Sequence, residues 1–146
     1  MEKIISSVEF KKRLAQLCLT ARTAEMPRRQ RDRHILLKAL SLSFQTGRFY
    51  TEREVKRVIE NWLNQVGQSL EIDHVTLRRA LIDEAYLTRA HGGAEYQVAK
   101  ASDAQFVFTE DVTTIDAEAV VREAMREIAR RRELYQKTRS FDNDHA

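Results

Sequence analysis

The stretch DHVTLRRALIDEAYLTRAHGGAEYQV, from Asp73 to Val98, places two adjacent arginines near the front of a helical run and a histidine beside a glycine pair. Guanidinium groups in such a place do one of two things: they donate paired hydrogen bonds to phosphates and guanine edges in a DNA groove, or they neutralise carboxylates inside the fold. Adjacent helical residues lie about 100° apart, so Arg78 and Arg79 cannot share one duty. With Leu77, Leu81 and Ala85 toward a core, Thr76, Arg79 and Asp83 turn outward. Arg78 then falls at the buried edge, where it needs a carboxylate such as Glu52 or Glu54. Arg79, with Thr76 beside it, is the candidate for base contact, because the first part of a recognition helix meets base edges. Its competing duty is an exposed pair with Asp83 one turn along. Arg89 and His91 in the following hairpin, with Arg28, Arg29, Arg31 and Arg33 in the connector TAEMPRRQRDR, complete the candidate DNA-binding set. An arginine run of that kind is more often a solvated linker than a phosphate-binding arm.

Other chemistries lack their residues. The histidines, His34, His74, His91 and His145, show no pair at metal-ligand spacing and no HExxH, so neither a metal site nor a cofactor is expected. The sequence holds only four glycines, with no GxGxxG or Walker-type loop to cradle phosphate and no GxSxG nucleophile. The single cysteine, Cys18, excludes an internal disulfide and falls on the apolar stripe of a helix, as a buried, unreactive thiol does. No catalytic residue is assigned, and the chain is not expected to be an enzyme.

The elements that must position these residues are mostly helical. Ser6, with Glu9 three residues on, reads as a capping box for a first helix whose sticky face is Phe10, Leu14, Leu17 and Cys18. HILLKALSLSF (34–44) is apolar on most sides, as a central helix would be, and Gly47 stops it. RFY is short and extended. Thr51 and Glu54 form a second capping box, opening a helix with Val55, Val58, Ile59, Trp62, Leu63 and Val66 at the 3.6-residue period. Asp73 caps the next helix, which runs to about Tyr86. LTRA and EYQVA then flank His91-Gly92-Gly93-Ala94 as a hairpin. Helix, short strand, helix, helix, hairpin is the order of a winged helix-turn-helix. A brief extended run at Gln105–Phe108 precedes a long helix from about Asp116 to Lys137, striped with Val121, Met125, Ile128 and Tyr135.

The expected fold is therefore mainly α: an N-terminal helix (1–25), a winged helix-turn-helix core (26–99), a C-terminal extension with a long helix (100–139), and a disordered tail (140–146). Charge follows this division. Residues 1–39 hold ten Lys/Arg against four Asp/Glu, residues 40–121 eight against thirteen, and residues 122–146 seven against five. If nucleic acid is the partner, most of the phosphate-neutralising charge must come from the flanks. With no signal-like run and no stretch near the roughly 20 apolar residues of a membrane span, a cytoplasmic protein without membrane contact is expected.

RFYTEREV (48–55), DHVTLRRALID (73–83), YLTR and GGAEYQV together resemble a bacterial domain-of-unknown-function family, number twenty-eighty-seven, over about Met26 to Ala99. Lys56 stands where that family often has Asn. The resemblance implies a winged-helix fold and a transcription-related role. The expected function is a transcriptional regulator that binds double-stranded DNA, as a homodimer through its terminal helices. The alternative is a non-catalytic protein-interaction module on the same scaffold, with the acidic centre facing a partner protein.

Overall fold

The computed structural model describes residues 3–20, 24–100 and 105–144. Arg22, the end of the first helix beyond Thr20, and His145 lie outside the described residues. The described chain is mainly helical, with α1 (Ser7–Thr20), α2 (Gln30–Ser41), α3 (Glu52–Gln65), α4 (His74–Asp83) and α5 (Ala117–Asp144). Its strands are short: β1 (Ile4–Ile5), β2 (Tyr50–Thr51), β3 (Leu87–Ala90), β4 (Glu95–Val98) and β5 (Val107–Phe108). The helix, strand, helix, helix, hairpin order expected from the sequence is present from α2 to β4. β2 joins the hairpin as an antiparallel third strand in the order β2-β4-β3, with Tyr50 opposite Tyr96 and Thr51 opposite Glu95.

α2 is the centre of the molecule. Ile35, Leu36, Leu37, Ala39 and Leu40 are buried, and so are Asp32, His34 and Ser41. Each fully buried aliphatic side chain here contributes about 1.5–3 kcal/mol relative to exposure. The helix begins at Gln30, ahead of the expected His34, because the Arg33 N–H already bonds to the Arg29 carbonyl and Asp32 in the first turn suits the positive end of the helix dipole. Arg31 and Arg33 are therefore helical residues rather than connector.

Caps form at all three places the sequence implies, but the first is not the expected capping box, since the Glu9 carboxylate turns to Arg31. Ser6 Oγ accepts from the Glu9 N–H at 3.2 Å. Thr51 and Glu54 exchange side-chain and backbone bonds in a complete capping box on α3. Asp73 accepts from the Thr76 N–H at 2.7 Å. α4 ends at Asp83, short of the expected Tyr86, because Ala85 turns left-handed at φ 64°. The Tyr86 N–H then reaches back to the Leu81 carbonyl at 2.8 Å and the Ala85 N–H to Ile82 at 3.1 Å, a Schellman stop built on alanine.

The flanks share the core. Phe10, Leu14 and Cys18 of α1 pack into the same apolar cluster as α2, together with Phe106, Val112 and Val121. A parallel pairing of β1 with β5, Ile4 beside Val107 and Ile5 beside Phe108, joins the two flanks. α5 packs its first turns on α1 and buries Val121, then continues with Met125, Ile128, Leu134 and Tyr135 exposed. It runs to Asp144, into the segment expected to be a tail, because no proline or glycine interrupts residues 117–144. No helix among the described residues is long and apolar enough to cross a membrane.

Candidate nucleic-acid interface

The outer face of α4 is set by its inner one. Leu77 and Leu81 are fully buried, which leaves Arg79 and Asp83 exposed and Val75, Thr76 and Ile82 at the margins of the same face. Arg79 makes no ion pair among the described residues, with Asp83 or with any other acid. Arg78 turns the other way, as expected: its Nη1 lies 2.7 Å from Glu52 Oε1 on α3, with the arginine side chain 15% exposed and the glutamate 64%.

Register brings the hairpin beside the start of α3. Thr51, the cap of α3, pairs with Glu95, and Glu95 pairs with Ala90 at the hairpin tip. Gly92 and Gly93 take positive φ in the turn, and His91 joins them at φ 51°. The imidazole of His91 packs against the Phe49 ring, centroids 4.6 Å apart, and both side chains are exposed. Arg89 is exposed and lies over the Tyr96 ring at 5.6 Å, leaving its donors toward solvent.

The connector arginines divide. Arg28 and Arg29 are exposed. Arg31 donates twice to Glu9, at 2.8 and 2.6 Å, once to the Ile4 carbonyl at 3.0 Å, and lies over the Phe106 ring. Arg33 reaches the Pro27 carbonyl at 3.4 Å and comes within 3.6 Å of Glu84. The guanidinium of Arg31 holds the Glu9 carboxyl below its usual range. The structure thus leaves Thr76 half-buried and Arg79 exposed on the outer side of α4, and Arg89 and His91 exposed on the hairpin, while Arg31 and Arg33 are put to internal use.

Glu84, just past α4, fixes the far end of that helix. His34 Nε2 lies 3.0 Å from Glu84 Oε2, though not aligned for a hydrogen bond, and Nδ1 is 2.7 Å from the Tyr86 hydroxyl. Burial pushes the His34 pKa down, against the pull of Glu84, so the ring is held toward its neutral form. Burial likewise raises the Tyr86 phenol and pushes the Cys18 thiol up to about 12, which keeps Cys18 unreactive.

One group of cations lies outside the set that the sequence suggests. A notch of about 270 Å³ between the first turns of α3 and α4 is lined by Glu52, Arg53, Lys56, His74 and Arg78. Its signal in the sequence is Arg53 and Lys56, three apart on the polar face of TEREVKR, opposite Val55 and Ile59. What the sequence could not show is that α4 brings His74 and Arg78 to the same place.

A family model described as an uncharacterized protein conserved in bacteria (DUF2087) matches residues 22–98, more than half of the chain. No curated protein and no solved structure matches it.

Proposed function

This chain belongs to the bacterial DUF2087 family, and we propose that its matched region is a winged helix-turn-helix that binds double-stranded DNA in a transcriptional regulator. α4 enters the major groove, with Thr76 and Arg79 facing base edges. The hairpin carrying Arg89 and His91 lies against the backbone, and Arg28 and Arg29 contact phosphates. Arg31 and Arg33 drop out of the contact set, since their guanidinium groups are engaged within the fold.

The observation that carries this reading is Arg79, without an ion pair among the described residues, at the centre of the α4 outer face, on a helix whose opposite face is locked by Leu77 and Leu81. A guanidinium held out by a rigid helix is what bidentate reading of a guanine requires. Two copies joined through the exposed stripe of α5 would present two such helices to adjacent half-sites.

Binding of random-sequence and genomic duplexes across a salt series tests the reading. Log affinity should fall linearly with log salt, by about 0.9 per phosphate contact. Absence of duplex binding at low salt would remove the DNA reading in favour of the protein-interaction module, for which the exposed Asp83 on α4 speaks.

A further inference from the structure

The notch between α3 and α4 contains a counter-ion of its own. Arg53, Lys56 and Arg78 carry three positive charges there, His74 adds an imidazole, and Glu52 is the one carboxylate in the lining. The Arg78–Glu52 pair is lopsided. Glu52 is 64% exposed, so its carboxylate leaves for water at little cost, whereas the Arg78 side chain is only 15% exposed and its guanidinium needs an anion beside it. Lys56 has only a loose partner, Glu60 at 3.8 Å, with both side chains about half exposed. Arg53 has no ion pair among the described residues, and His74 Nδ1 is buried without a hydrogen-bond partner.

We propose that this notch is a clamp for one phosphodiester group and that Glu52 is the placeholder a phosphate displaces. On binding, the Glu52 carboxylate swings to solvent and a phosphate takes its place against Arg78, with Lys56 and Arg53 closing from the α3 side. One anion replaces another, so Arg78 is never left uncompensated. The location fits. The notch sits at the first turn of α3, next to Thr51, which pairs with Glu95 of the hairpin, and at the front of α4, where the backbone flanking a groove-bound α4 would run. The inference rests on duplex binding by α4, and it adds that Glu52 weakens that binding.

The test is fluorescence anisotropy of a labelled random-sequence duplex against the full chain, with thermal melts as a folding control. Glu52→Gln should bind about fivefold more tightly at low salt, the gain expected when a phosphate no longer has to displace a carboxylate from a guanidinium about 4 Å away in water. Arg53→Ala and Lys56→Ala, both exposed and so neutral to folding, should each flatten the log–log salt slope by about 0.9. If the wild-type chain binds duplex but folded Glu52→Gln gains nothing, or both alanine variants keep the wild-type slope, the clamp is overturned and the DNA reading stands. If the wild-type chain binds no duplex, the DNA reading falls, and titration with inorganic phosphate decides the clamp. Movement of the His74 imidazole NMR signals that is lost in Arg53→Ala and Lys56→Ala would keep the notch as a site for free phosphate, and no movement would overturn it.

Discussion

Arg31 on α2 and Glu9 on α1 hold each other through two hydrogen bonds, and Arg13 on α1 returns the grip on Asp32 of α2 at 2.9 and 2.8 Å. Each helix thus offers an arginine to the other's carboxylate. The basic N-terminal flank, which sequence arithmetic assigns to phosphates, spends part of its charge fastening α1 to α2. Arg31→Ala should therefore destabilise the fold by about 1–2 kcal/mol, the worth of charge-assisted hydrogen bonds discounted for partial exposure. Arg28→Ala and Arg29→Ala should stay within about 0.5 kcal/mol of the parent. Urea denaturation of the three variants measures this, and equal midpoints would show that the interhelical pair contributes nothing.

The adjacent arginines of α4 should separate by assay. Arg78→Ala leaves Glu52 unpaired and opens a half-buried space, so it should lower the melting temperature by several degrees, about 2–4 °C per kcal/mol for a chain of this size. Arg79→Ala removes an exposed side chain that has no ion pair among the described residues and should leave the melt unchanged while reducing discrimination between duplex sequences by about 1–3 kcal/mol. Melting curves and competition binding on the same preparations separate these roles, because loss of a phosphate contact at Arg78 lowers affinity for all duplexes alike whereas loss of Arg79 lowers discrimination between them. The opposite pattern would mean that α4 is rotated relative to this account.

Ala85 stops α4 in a conformation that suits glycine, at φ 64° with both Schellman hydrogen bonds made. Ala85→Gly relieves that left-handed strain and should raise stability by roughly 0.5–1 kcal/mol, net of the larger entropy glycine loses on folding. A rise in the denaturation midpoint at constant slope is the expected readout. A fall would show that the alanine methyl packs well enough to outweigh its backbone.

His34 should make stability depend on mild acid. Burial holds its folded-state pKa below the ordinary value of 6.5, with Glu84 opposing and Arg33 nearby. The unfolded chain therefore takes up a proton that the folded chain resists. Stability is complete above about pH 6.5 and is lost as pH falls through the depressed folded value. Denaturation midpoints between pH 7.5 and 5 should fall in the parent chain and flatten in His34→Gln. An unchanged slope in the variant would place the proton uptake elsewhere.

Legibility in the sequence tracked locality. The caps at Ser6, Thr51 and Asp73 involve residues three apart and were readable, as was the inward turn of Arg78, which follows from helical angle and the cost of burying a charge. The β1–β5 pairing was not, because two-residue strands separated by about a hundred residues carry no periodic signal. Arg31 and Arg33 looked like connector because their partners, Glu9 and Glu84, are distant in sequence. The notch escaped for the same reason: Arg53 and Lys56 become a site only when α4 delivers His74 and Arg78.

The stripe on α5 leads to the last prediction. Val121, Met125, Ile128, Arg132 and Tyr135 follow alternating steps of four and three, a seam that runs from buried at Val121 to exposed at Met125, Ile128 and Tyr135. A helix of 28 residues spans about 42 Å, and α1 packs only on its first turns. In the proposed dimer this exposed seam is the contact. Parallel copies would set Arg132 against Arg132, at a cost in like-charge repulsion, whereas antiparallel copies place each Arg132 near an apolar or aromatic residue of the other. Ile128→Glu should therefore shift the chain from dimer to monomer in sedimentation velocity, while the melt of the core around α2 is retained. Arg132→Leu should strengthen association and remove the bar to parallel pairing. If the parent chain sediments as a monomer at every concentration tested, the seam has some other occupant and the two-helix DNA arrangement loses its basis.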